Sequence, residues 1–325
     1  MENPKIAIVL GATCAGCDYS LLDLPPEVLL DVLGKVEIVY WPTATDFKLE
    51  DLKAVPDGEI ALTLYEGAVN NEENEELARI SRQKSQNLLA FGACSCFGGL
   101  PGLANVTTRE GLFKQAYLDA PSNESNGVTP LRMSTVDGHE LTIPDTFDTV
   151  RALHQVVPVD YYLPGCPPPL DLIGEALTAL VTGDLPPKGH VFGSSKSLCD
   201  ECDRRKESKS IHELHGIHEL IPDEEKCLLE QGILCLGPAT RGGCGYPCVK
   251  MNLRCWGCMG PTPESIDQGA NMLSALASVL GLDRETDLTD EAIEVLMKQV
   301  KDPLGFFYRF TMPTSLLKRA VRRNQ

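Results

Sequence analysis

The sequence predicts an α/β protein: a doubly wound, mostly parallel sheet, then a cysteine-rich segment with little regular structure, then C-terminal helices. Three observations predict it. Apolar runs alternate with helical patterns through the first half of the chain. Glycines and cysteines follow several of those runs. Past a proline-rich stretch the periodicity fades and cysteines crowd in.

Apolar runs at residues 6–10, 36–41, 60–64, 87–91 and 156–162 read as strands. Residues 21–33 carry apolar side chains at helical spacing. Residues 71–84 are acidic at their start and basic at their end, which complements a helix dipole. Residues 170–180 follow a proline run, which suits a helix start. Strands alternating with helices imply parallel pairing. Residues 121–147 are polar and turn-rich, and read as an excursion carrying a small hairpin. The stretch DLPPKGH at 184–190 reads as a linker, which divides the chain into residues 1–183 and 184–325. Helices are expected at 265–280 and 290–301, and a last amphipathic segment at 304–321.

The chain has 325 residues and a net charge of −17, from 29 basic and 46 acidic side chains. Such a surface repels nucleic-acid backbones and anionic membranes, and suits docking on other proteins. No stretch is long and apolar enough to span a bilayer. The first residues run into the first strand without a basic, apolar leader, so a cytoplasmic protein is expected. In that compartment the 13 cysteines point to metal rather than to disulfides.

Cys14 and Cys17 follow the first strand, Cys94 follows the run ending at Phe91, and Cys166 follows the run ending at Tyr162. The carboxyl ends of parallel strands share one edge, where ligands bind. Four thiols from three loops can therefore meet there. GATCAGCD spaces its glycines like a phosphate loop, but Cys17 and Asp18 stand where the lysine and hydroxyl belong. A phosphate would lose its cation and face a carboxylate, which argues against nucleotide binding. A redox dithiol, a zinc site and an iron–sulfur site stay open for Cys14 and Cys17 alone; the two further cysteines at strand ends favour the cluster.

The second group comprises CDEC (Cys199, Cys202), KCLLEQGILC (Cys227, Cys235), GGCGYPC (Cys244, Cys248) and RCWGC (Cys255, Cys258). These eight could hold two four-iron clusters or two zinc ions by the same thiolate chemistry. Three sets of four in one acidic chain favour an electron wire, because zinc does not change oxidation state.

GATCAGC, GACSCFGG and LPGCPPP, followed by CDEC, CLLEQGILC, LGPATRGGCGYPC and CWGCMGP, resemble the small, electron-transfer subunit of [NiFe] hydrogenases. The likeness runs from about residue 6 to 277. It is greatest to the cytoplasmic, methyl-viologen-reducing, heterodisulfide-reductase-linked (F420-non-reducing) type. The resemblance implies a flavodoxin-like first domain and three [4Fe-4S] clusters. Cys14, Cys17, Cys94 and Cys166 would hold the proximal one, Cys244, Cys248, Cys255 and Cys258 the medial, and Cys199, Cys202, Cys227 and Cys235 the distal. It implies two partners: a large subunit that splits dihydrogen at nickel–iron, and an iron–sulfur or flavin subunit that accepts electrons. The chain would be part of an oxidoreductase and inactive by itself. Respiratory relatives carry a histidine at the position of Cys199 and often a proline in place of a fourth medial cysteine. An all-thiolate set is more anionic, which lowers the potential.

Several features have plainer readings. Cys96 reads as a buried small hydrophobe. His212, His215 and His218 read as a solvated loop around Gly216, with a metal role the sharper alternative. Glu66 reads as a capping or turn residue, with cluster tuning or proton relay as the alternative. The acidic run at 71–76 reads as a solvated helix start, and Phe97 and Trp256 as water-excluding neighbours of cluster ligands. Three competing functions remain: a cluster-carrying subunit of a quinone-reductase-like complex, a zinc-stabilised scaffold, and a thiol oxidoreductase using Cys14 and Cys17. Relatives of the first carry tandem cysteines near the first strand and lack the eight-cysteine tail.

Overall fold

The computed structural model describes residues 3–124, 127–207, 210–280, 289, 291, 294–295 and 298–319. KIAIVL forms β1 (Lys5–Leu10), apolar on both faces as a central parallel strand must be. It pairs in parallel with β2 (Glu37–Tyr40) and β3 (Ile60–Glu66). β4 (Val69–Asn71) leaves this sheet to pair antiparallel with β8 (Thr146–Arg151). β5 (Ser85–Phe91) adds to β3, β9 (Tyr161–Leu163) to β5 and β10 (His190–Val191) to β9, all in parallel. The resulting order, β10-β9-β5-β3-β1-β2, is a flavodoxin-like winding. The excursion carries the expected hairpin, β6 (Met133–Val136) and β7 (His139–Thr142).

Helices cover both faces. α1 (Gly16–Leu22) and α2 (Pro26–Leu33) replace the single helix expected at 21–33, because Pro25 cannot continue α1. α3 (Leu49–Ala54) and α4 (Glu72–Lys84) follow, and the Asn71 side chain accepts the Asn74 N–H at 2.8 Å to cap α4. α5 (Gly92–Phe97), α6 (Arg109–Phe113) and α7 (Leu170–Thr182) complete this half. Ile6 and Ile8 face Leu21, Val32 and Ile173; Ala7 and Val9 face Leu52, Leu77 and Ala78. Each fully buried aliphatic side chain contributes about 1.5–3 kcal/mol. The strand expected at 156–162 shrinks to Tyr161–Leu163, since Pro158 has no N–H for a ladder and residues 153–155 turn as a 3-10 helix.

Beyond residue 196 regular structure is sparse. α8 (Pro247–Lys250) and α9 (Gln268–Ala277) are short, and the Asp267 side chain caps α9 through the Ala270 N–H at 2.8 Å. A separate core of Leu198, Leu228, Ile233, Leu236, Met272 and Phe307 lies here. Of the helix expected at 290–301, residues 290, 292–293 and 296–297 lie outside the described residues, while 291, 294–295 and 298 are helical. In place of one amphipathic segment at 304–321, a short helix, Pro303–Phe307, gives way to turns. Those turns fold back on the first half: the Gly99 N–H donates to Phe310 O at 3.0 Å, and the Pro313 ring fills the space beside Gly98 and Gly102. Asn105 Nδ2 donates to both Val150 O and Lys318 O at 3.0 Å. No described helix is long and apolar enough to cross a membrane.

Candidate metal centre

β1, β5 and β9 run in parallel, so the loops after them share an edge, and Cys14, Cys17, Cys94 and Cys166 meet there. Burial pushes the Cys17 thiol well up, and Glu66, Cys94, Cys166 and Cys14 push it further. Cys94 is pushed up to about 12, by burial first and then by Cys166 and Cys14, against the Leu100 N–H. Thiols that raise one another in this way resist ionising until a cation compensates them. Glycines leave room beside the sulfurs. At Gly92 (φ +84°) a Cβ would stand 2.3 Å from Cys17 Sγ, and at Gly99 (φ +55°) 2.4 Å from Cys94 Sγ.

The second group divides in two. Burial pushes Cys199 up to about 12, with Cys235 adding, Lys206 opposing, and Cys227 and Cys202 adding again. A Cβ at Gly237 would come within 3.1 Å of Cys199 Sγ, a tighter approach than most Cβ contacts, so glycine eases the packing of this set too. Cys258 is likewise pushed up to about 12, by burial, then by Cys244 and Cys166, while the Cys166 N–H opposes and Cys248 adds. Cys255 stands between the two: after burial, its strongest influences are Cys235 and Cys258. The Cys255 N–H donates to Cys235 Sγ at 3.4 Å. Contacts thus run from the sheet edge through Cys166 to Cys258, and through Cys255 to Cys235.

Among the described residues no three His, Cys, Asp or Glu side chains close on a point where one metal ion could sit. The thiols line cavities instead. One of about 480 Å³ is bordered by Cys166, Cys244, Cys248, Cys255 and Cys258, and a smaller one by Cys199, Cys202, Cys227 and Cys235. Donors around a void suit a polynuclear cluster better than a single zinc ion. A larger cavity, about 840 Å³, lies between residues 100–112 and β8 and has no thiol in its lining.

Cys96 is fully buried and donates to Ala90 O at 3.3 Å, turned to the core rather than to the other thiols. Glu66 is also fully buried and accepts the Asp18 N–H at 3.0 Å, serving the first turn of α1. Burial and the Asp18 carboxylate push it up to about 7, against the Asp18 N–H and the Cys17 and Thr13 side chains. His215 and His218 lie 4.0 and 3.7 Å from Glu213 and Glu219. Sequence reasoning passed over two groups. Asp18 is held by Trp41 Nε1 at 3.1 Å and by the Thr43 hydroxyl. Arg204, Arg241, Arg254 and Arg309 flank the second group of cysteines; Arg204, Arg241 and Arg254 lie within three residues of a cysteine in sequence, and Arg309 gave no such signal.

The family described as NADH ubiquinone oxidoreductase, 20 Kd subunit, matches residues 14–180, which stop short of the second group of cysteines. The iron-sulfur subunit of the F420-non-reducing hydrogenase of Archaeoglobus profundus is 42% identical over 324 residues, covering 98% of each chain. A vhu subunit of the same hydrogenase type, from Methanocaldococcus jannaschii, is 36% identical over 318 residues, again covering 98% of each. A solved [NiFeSe] hydrogenase chain from Dm. baculatum shares the fold, with a TM-score of 0.52 at 19% identity over 82% of this chain and 97% of that one. The fold and these relatives define a hydrogenase small subunit. The chain belongs to the iron–sulfur subunits of F420-non-reducing hydrogenases, which are small subunits of [NiFe] hydrogenases and so parts of an oxidoreductase.

Proposed function

We propose that this chain carries three [4Fe-4S] clusters in series between a hydrogen-splitting large subunit and a low-potential acceptor. Cys14, Cys17, Cys94 and Cys166 would hold the proximal cluster, Cys244, Cys248, Cys255 and Cys258 the medial, and Cys199, Cys202, Cys227 and Cys235 the distal. The observation that carries this reading is the pair of contacts joining the sets: Cys166 to Cys258, and Cys255 to Cys235. When bound, the clusters supply one-electron carriers. The protein's share is to exclude water, to aim N–H groups of Leu100, Cys166, Gly237 and Cys255 at sulfurs, and to hold the thiols ready to release protons as metal binds.

The division at residues 183 and 184 belongs to the same proposal; the separate core drawn from residue 198 onward supports it. So do a cytoplasmic setting and an iron–sulfur or flavin acceptor subunit, which suit an acidic chain without a described membrane-spanning helix. The test is metal and sulfide analysis of anaerobically prepared protein with its large subunit, joined to paramagnetic resonance. About twelve irons in this chain and three reducible centres are expected. Colourless protein with stoichiometric zinc overturns the proposal.

A further inference from the structure

Buried or half-buried arginines in proteins are ordinarily paired with carboxylates, because an uncompensated charge is costly to desolvate. Half-buried Arg82, Arg109, Arg151 and Arg319 obey this rule, and exposed Arg79, Arg132 and Arg205 are paired too. Four other arginines, Arg204, Arg241, Arg254 and Arg309, have no carboxylate among the described residues within ion-pair distance. All four lie around the second group of cysteines. Arg204 is buried and donates only to the Asp223, Lys226 and Val249 carbonyls and to Asn252 Oδ1. Arg241 is buried too, and its only side-chain hydrogen bond runs to Ser194 O.

Arg254 and Arg309 are the most exceptional. Their guanidinium carbons stack on Trp256, 4.0 and 4.1 Å from its ring centroid, and the Nε of each is buried without a partner. Two like charges share one indole in a chain whose net charge is −17. The carboxylates bordering the outer side of the stack are engaged elsewhere: Asp302 caps a helix through Gly305, Glu219 faces His218 and Lys301, and Glu213 faces His215. On the inner side, Trp256 and Arg309 wall the cavity bordered by Cys166, Cys244, Cys248, Cys255 and Cys258. Arg254 directly precedes Cys255, whose N–H donates to Cys235 Sγ at 3.4 Å, so it lies between two thiol sets.

We propose that the Arg254–Trp256–Arg309 stack is the counter-charge of the medial centre, holding its reduction potential above the value an all-thiolate set alone would give. Arg254 does the same for the distal centre. This rests on the cluster assignment proposed above. The charge of a four-thiolate cluster becomes more negative on reduction, so a fixed cation stabilises the reduced form more than the oxidised form. The indole keeps both guanidiniums in place without a carboxylate that would cancel them.

The test is a redox titration of the holoenzyme followed by paramagnetic resonance. In Arg309→Gln one centre is expected to move to more negative potential. In Arg254→Gln two centres are expected to move. Arg254→Lys, Arg309→Lys and Trp256→Phe keep the charges and are expected to stay near the wild-type values. Arg79→Gln, whose charge is already paired with Glu75, is expected to shift none. Wild-type potentials in both Gln variants overturn the proposal and leave the cluster assignment standing. Lys variants that shift as far as their Gln counterparts also overturn it, because packing rather than charge would then be responsible. Fewer than three reducible centres in the unaltered protein overturn the cluster assignment and this proposal together.

Discussion

In the sheet half, Arg79, Arg82, Arg109, Arg132 and Arg151 each reach a carboxylate; around the C-terminal cysteines Arg205 does so, but Arg204, Arg241, Arg254 and Arg309 reach none among the described residues. The sheet half closes its own strand ladders and draws its core mostly from its own residues, with Phe192 and Met259 added from beyond residue 183. The other half has short helices, turns and cavities edged by sulfur. On the proposed cluster assignment, the second half adds to its own small core the stability of what its thiols bind, and a negatively charged occupant would account for the thiols, the voids and the unpaired cations together.

Removing the metal should break this contrast most sharply. In chelator-treated protein the region from about residue 196 to 262 is expected to become protease-sensitive while the sheet half persists, as fragment analysis would show. Uniform resistance would mean that the cysteine-rich half stands unaided. Next in size is Cys258→Ala, which removes a sulfur that feels Cys166 across the boundary between sets. Hydrogen-driven dye reduction should fall at least 10–100-fold, the cost of losing even an outer partner of a metal site, while the signal of the proximal centre persists.

Asp160→Asn probes the opposite, metal-free edge of the sheet. Asp160 accepts from Arg82 Nη1 at 2.5 Å, Lys188 Nζ at 2.8 Å and the Leu88 N–H at 2.9 Å. A loss of about 3 kcal/mol is expected by denaturant titration, with the reducible centres unchanged. Burial raises this carboxyl's pKa, and the hydrogen bonds from Lys188, Arg82 and Leu88 outweigh it, leaving it depressed. Its contribution is therefore complete above the unfolded-chain value and fades as pH falls through the lower native one. The smallest effect concerns Glu66. Raised to about 7, it should be protonated below neutrality and ionised above, the ionised form being the one that burial disfavours. Infrared titration should show a carboxyl band lost near pH 7, and Glu66→Gln should remove it.

Much of this was legible in the sequence because local pattern decided it. Residues 6–10 and 87–91 are apolar runs that a central strand buries, and the loops after them and after the run ending at Tyr162 had to share an edge. That placed Cys14, Cys17, Cys94 and Cys166 together. The break at Pro25 and the shortened strand after Pro158 follow from proline chemistry that periodicity alone overlooks. β4 stayed hidden because it is three residues long, and β8 because TFDTVR is not an apolar run and its pairing with β4 is long-range. Residues beyond 196 offered spacing without periodicity, so the position of Cys255 between Cys235 and Cys258 could not be read. Nor could the unpaired arginines, since an ion pair is a tertiary fact.

The returning tail has a consequence for timing. Pro313 wedges beside Gly98 and Gly102, so the loop bearing Cys94 is closed by residues synthesised long after it. A truncation ahead of these late turns should leave the Cys94 loop ajar, because the Pro313 ring and the Phe310 carbonyl brace it from outside.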